Sequence, residues 1–265
     1  MTSERHIEVE IEAPATPEQA WEAVATGPGI TAWFMPAEVE GRVGGRVIHR
    51  HDGEAETPGM VTAYEQPHRF VYEETGWGPD GQEAPIPIAT EFLVEARSGG
   101  SCVVRVVMSG FGDGEAWERA IESFEGGWRQ ALRALRLYLK HFAGQQAASI
   151  IGGDTSSGDK DAVWAAFAAS LGLPAQPAAG DHVRTDGAGV PRLGGVVEQA
   201  DGRTITLLLD EPARGIALVG AGGPGDTVFT LMRAQLFGDG AEQLAAREQA
   251  AWEAWFAGRH VGAAG

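Results

Sequence analysis

The sequence predicts an α+β protein of the helix-grip type, a curved antiparallel sheet wrapped around a long C-terminal helix, in two tandem domains. Two observations predict it. Residues 1–143 run as one strand, two short helices, a series of strands split by turns, and one long helix. A second, shorter run of the same motifs in the same order follows residue 158.

The first element is the clearest. Ile7, Val9 and Ile11 alternate with Glu8, Glu10 and Glu12, the period-2 pattern of a half-buried strand, and Pro14 stops it. Thr16 then stands where an N-cap belongs, with Pro17 at the first helical position and Gln19 completing a capping box. That helix runs to Ala25 and breaks at Gly27-Pro28-Gly29, and a short turn carries Ile30–Phe34. Strands are expected near Val39–Glu40, Arg46–His51, Met60–Glu65, Arg69–Gly76, Ala89–Ala96 and Cys102–Ser109, with turn residues between them. The long helix spans about Glu115–Phe142, where Trp117, Ile121, Phe124, Trp128, Leu132, Leu135 and Leu139 recur every three or four residues.

The repeat rests on four matched motifs. PEQAWEAVA at 17–25 matches KDAVWAAFA at 160–168, with Trp21 opposite Trp164. RHDG at 50–53 matches RTDG at 184–187, GMV at 59–61 matches GGV at 194–196, and FGDG occurs at 111–114 and 237–240. The offset shrinks from 143 residues (17 to 160) to 126 (111 to 237), as expected if the second copy lost segments between conserved elements. Gly144–Gly158, small, polar and Gly/Ser-rich, reads as a linker between domains 1–143 and 159–265. In the second copy, strands are expected at Val196–Gln199, Thr204–Leu209, Ile216–Val219 and Val228–Met232, with no counterpart of the first strand.

Composition narrows the function classes. A net charge of −17, divided −11 over residues 1–143 and −6 over 144–265, excludes nucleic-acid binding, which needs a basic face. No apolar run approaches the ~20 residues that span a bilayer, and the N-terminus shows no signal-peptide pattern. One cysteine, Cys102, rules out an internal disulfide and fits a reducing cytoplasm. No dinucleotide, Walker, nucleophile-elbow or His-Glu-x-x-His motif is present, and no third His or Cys lies near His49 and His51, so neither a cofactor nor a metal is expected.

Residues 6–142 resemble the SRPBCC (START-like) superfamily, and within it the group homologous to the activator of the heat-shock-protein ATPase. The likeness rests on Trp21, Trp33, Gly44-Gly45, Gly59 with Val61, Pro67 with Arg69, and Gly127-Trp128 followed by Leu132 and Leu135. It implies a domain that encloses hydrophobic small molecules, some members acting as cyclases, hydrolases or co-chaperones.

Strand alternation places the candidate site. With Arg46 and Arg50 outward, Val47, His49 and His51 share the inner face, together with Phe70, Tyr72 and Glu74, Thr90, Phe92 and Val94, and Val104, Val106 and Met108. Trp33, Tyr64, Trp77, Phe124 and Trp128 complete an aromatic wall. Mostly apolar lining with few polar groups fits a ligand pocket, and it equally fits packed core. Gly126-Gly127 in mid-helix costs roughly 1 kcal/mol per glycine and asks for a reason: a closely approaching strand, or a gap at a pocket mouth.

Three readings follow. The first is binding of a hydrophobic small molecule between the sheet and the C-terminal helix of the first domain, with little or no catalysis. The second is a cyclase- or hydrolase-type enzyme in which His49 or His51 works with Glu74 as acid and base. The third is a co-chaperone-like interaction module. A homodimer, or an intramolecular pseudo-dimer of the two domains, is the expected assembly. Set against the catalytic reading, His49 and His51 are half-exposed strand histidines beside a turn. Asp113 and Asp239, each just before a helix, read as N-caps.

Overall fold

A computed structural model describes residues 5–50, 56–76, 78–79, 84, 86–223 and 225–262, without the side chains of 56–57 and 260–262. His51 and Trp77 lie outside the described residues. The chain divides into two compact units, Met1–Gln146 and Ala147–Gly265.

In the first unit the order is β1 (His6–Ala13), α1 (Pro17–Ala25), α2 (Gly27–Thr31), β2 (Ala37–Val39), β3 (Arg46–Arg50), β4 (Glu56–Glu65), β5 (Arg69–Glu74), β6 (Ile88–Ala96), β7 (Cys102–Ser109) and α3 (Glu115–His141). The strands form one antiparallel sheet in the order β1-β7-β6-β5-β4-β3-β2. The expected capping box is present: the Gln19 N–H donates to Thr16 Oγ1 at 3.3 Å and the Thr16 N–H to Gln19 Oε1 at 3.0 Å. Strand β1 buries Ile7 and Ala13 and leaves its glutamates outward, where Arg105 of β7 meets Glu8 and Glu10.

The second unit repeats the plan with β8 (Ala147–Ser157), α4 (Lys160–Leu171), β9 (His182–Arg184), β10 (Gly194–Asp201), β11 (Thr204–Glu211), β12 (Gly215–Gly222), β13 (Thr227–Phe237) and α5 (Ala241–Gly262). Its sheet order is β8-β13-β12-β11-β10-β9. In both units the first strand lies beside the last, and a long helix follows the sheet. Trp21 and Trp164 occupy the same position in α1 and α4, and both are buried. RHDG and RTDG begin on the final residues of β3 and β9, and each FGDG joins a last strand to a last helix. Among the described residues the second unit therefore has no counterpart of α2 and β2.

Two expectations are corrected. The stretch 144–158 is no linker: Ala147–Ser157 is strand β8, paired with β13 from Ala147↔Phe237 to Ser157↔Thr227. It is the missing counterpart of β1. Alanine, serine and glycine have weak strand propensity, which hid it. Packing requires its glycines, because a Cβ at Gly152 would stand 2.5 Å from the Phe256 ring and one at Gly153 2.5 Å from the Thr230 carbonyl. Nor does Asp113 cap α3. There the N-cap is Gly114, at φ 103°, with no side-chain hydrogen bond, and Asp113 lies 3.8 Å from Arg5.

Helix α3 is buried unevenly. Trp128, Ala131, Leu132, Leu135 and Leu139 are buried, whereas before Gly126 only Trp117 is, and Ile121 and Phe124 are half-buried. Among the described residues nothing lies within 4 Å of where a Cβ on Gly126 or Gly127 would stand, so no described strand approaches them.

Candidate functional site

The helix-covered face of the first sheet carries the candidate residues. Val47, Phe70, Phe92, Val104 and Met108 are all buried on it, as the alternation predicts. Their rings interlock: Phe70 stacks on Phe92 at 6.2 Å, and Trp128 of α3 meets Phe92 edge-on at 5.7 Å. Such pairs contribute about 0.5–1.5 kcal/mol each beyond the area they bury.

Trp33 and Tyr64 belong to the wall but spend their polar atoms on the helices. The Trp33 Nε1–H donates to the Ala23 carbonyl at 2.9 Å, and the Tyr64 hydroxyl to the Ala25 carbonyl at 3.3 Å. The first ties α1 to the turn after α2, and the second ties α1 to β4. Phe124 stacks on Phe111 at 6.2 Å, with Trp117 also on Phe111 at 6.0 Å, at the first half of α3.

Sequence reasoning missed Phe34. It stacks on Trp128 at 5.3 Å and on Trp33 at 5.5 Å, and it meets His49 edge-on at 6.3 Å. A second aromatic immediately after Trp33 was the available signal.

Polar groups gather at one end of this wall. His49 is 4% exposed and Glu74 8%, which overturns the reading of His49 as a half-exposed histidine. His49 Nδ1 and Glu74 Oε1 are 3.5 Å apart. The two residues come from β3 and β5, and β4 runs between them. Glu74 lies opposite Gly59 of β4, and Gly59 opposite Val47 of β3. A Cβ on Gly59 would stand 3.2 Å from Glu74 Cγ and 3.4 Å from the Tyr72 ring, so the glycine clears the ground over which the pair meets.

Tyr72 lies beside both, its ring 5.3 Å from the imidazole. Burial pushes its phenol well above the usual range, the Glu74 charge adds to that, and a hydrogen bond with the Thr90 side chain opposes it. Among the described residues Glu74 accepts no hydrogen bond, and its one polar contact at this range is His49. A buried carboxylate with an imidazole at its edge can accept a hydrogen bond from a bound molecule or exchange a proton through the histidine.

Residues 14–140 match the family described as Activator of Hsp90 ATPase homolog 1-like protein. Several solved structures resemble the chain. A Mesorhizobium loti protein shares 23% identity over 52% of this chain and 98% of its own, at a TM-score of 0.45. The Aha1 dimer from Colwellia psychrerythraea shares 20% over 53% and 99%, at 0.44. The di-domain ARO/CYC BexL of the BE-7585A biosynthetic pathway shares 17% over 92% of each chain, at 0.47. No curated protein matches the sequence.

Proposed function

We propose that the first unit, an Activator of Hsp90 ATPase homolog 1-like domain, binds a hydrophobic small molecule between its sheet and α3. One observation supports this above the others: the buried His49–Glu74 pair at the end of an aromatic wall. A core built for stability alone gains little from a carboxylate that is 8% exposed and whose one polar neighbour among the described residues is an imidazole 3.5 Å away. Such a group costs roughly 1–3 kcal/mol, more when it is charged. A ligand that engages the carboxylate offsets that cost. Phe34, Phe92 and Trp128 would supply the flat apolar contacts, as aromatic side chains do in small-molecule sites. The test is native mass spectrometry of gently purified protein, with solvent extraction of anything released. A stoichiometric apolar adduct is the expected result. A clean apo mass, together with no binding of a hydrophobic dye, would make the wall packed core and end this reading.

The same pair favours one second reading, an acid–base enzyme of the cyclase or hydrolase type. At 3.5 Å from Glu74, His49 has a carboxylate that can orient its ring through Nδ1, the arrangement an acid–base histidine needs. Changing His49 and His51 to Ala separates the two readings. A binder keeps most of its affinity, whereas an enzyme keeps its fold and ligand but loses turnover.

A further inference from the structure

Resting on the binding reading above, we infer the chemical class of the ligand: an uncharged, largely apolar molecule carrying a hydroxyl or N–H donor. Glu74 is the residue that selects it. The charge layout carries the inference. Glu74 is buried, and among the described residues no donor bonds to it. Among the described residues the other polar groups at that end are His49, the neutral phenol of Tyr72, and Thr90.

Among the described residues of this unit no lysine or arginine is placed to act as counter-charge for an anionic ligand at the wall. None of its lysines or arginines is buried among the described residues. The stretches 51–57 and 77–85 contain no basic residue other than His51, and between them they carry Asp52, Glu54, Glu56, Asp80 and Glu83. A ligand carboxylate or phosphate entering the wall would meet a buried carboxylate of its own sign with no arginine or lysine to neutralise it. A ligand hydroxyl or N–H meets an acceptor whose one polar neighbour among the described residues is His49 at 3.5 Å, and a hydrogen bond to a charged acceptor is the stronger kind. The aromatic lining takes the remainder of the molecule. Gly59 keeps the carboxylate within reach, since any side chain there would press on Glu74.

The experiment compares 2-naphthol with 2-naphthoate, which share a ring system and differ in donor against anion. Calorimetric titration into the full chain at neutral pH should give at least about tenfold tighter binding of the naphthol. Glu74→Gln should bring the two within about threefold, mainly by strengthening the naphthoate. Equal or tighter naphthoate binding to the unmodified chain overturns the selectivity while leaving the binding reading intact. So does a Glu74→Gln chain that keeps its near-ultraviolet circular dichroism and the original ratio. Binding of neither compound to the unmodified chain counts against the binding reading itself and removes this inference with it. The unmodified chain alone decides the case if the variant does not fold.

Discussion

His49 of β3 and Glu74 of β5 meet at 3.5 Å across an intervening strand, where β4 carries Gly59. Neighbouring strands lie about 4.8 Å apart, so residues two strands away come into contact only when both side chains lean over the middle strand. Glycine leaves that space open.

Gly59→Val should therefore part the pair. The added Cβ begins 3.0 Å from the Glu73 carbonyl oxygen and 3.2 Å from Glu74 Cγ, and the branch adds more. A loss of about 1–3 kcal/mol in denaturant unfolding is expected, typical of overpacking a filled interior. The His49 ring signals in NMR spectra should shift with it. An unchanged midpoint with unmoved His49 signals would mean that Gly59 does not set this contact.

Glu74→Gln should stabilise the ligand-free protein. The substitution keeps the shape and removes a charge that, among the described residues, has no hydrogen-bond donor. A gain of about 1 kcal/mol is expected, or about 2–4 °C in melting temperature for a domain of this size. A melting temperature that falls by a similar amount would show the ion pair to be net stabilising.

Gly126→Ala with Gly127→Ala should also stabilise. Nothing lies within 4 Å of either added methyl, so the helix-propensity gain of about 1 kcal/mol per site is not offset by a clash. Denaturant unfolding checks it. If the double variant is stabilised yet loses ligand binding, the glycines serve motion of the first half of α3. If it is destabilised, that half packs more tightly than its exposure indicates.

Alkaline titration has a definite sign. The chain has three tyrosines, Tyr64, Tyr72 and Tyr138, and burial raises the phenol of each. The folded state therefore holds these protons more tightly than the unfolded state. Their contribution to stability is fully present below the ordinary phenol pKa near 10 and is lost as pH rises beyond it. Tyrosinate absorbance at 295 nm should appear late and together with unfolding. One phenol titrating at its ordinary value in the folded protein would contradict this.

Much of the fold was legible because local signals carry it. The capping box at Thr16–Gln19, the alternation of β1 and the three-to-four spacing of α3 involve residues close in sequence, and all three elements stand where that spacing puts them. The inner-face assignments of Val47, Phe92, Val104 and Met108 followed from strand period and hold as buried positions. Strand β8 escaped because its small residues lack intrinsic strand preference. It exists because β13 offers a full-length partner and Phe256 needs the space above Gly152.

The sequence by itself determined the order of elements in the first unit, the duplication and the helix-covered face, since periodicity and repeated motifs are properties of neighbouring residues. Only the tertiary structure decided that His49 is buried against Glu74, and that Phe34 closes over it from the turn after α2. The reason is physical. Residues separated by 25 positions (49 to 74) are brought together by the register of three strands and by the one missing side chain between them. Neither is written in any local pattern of the chain.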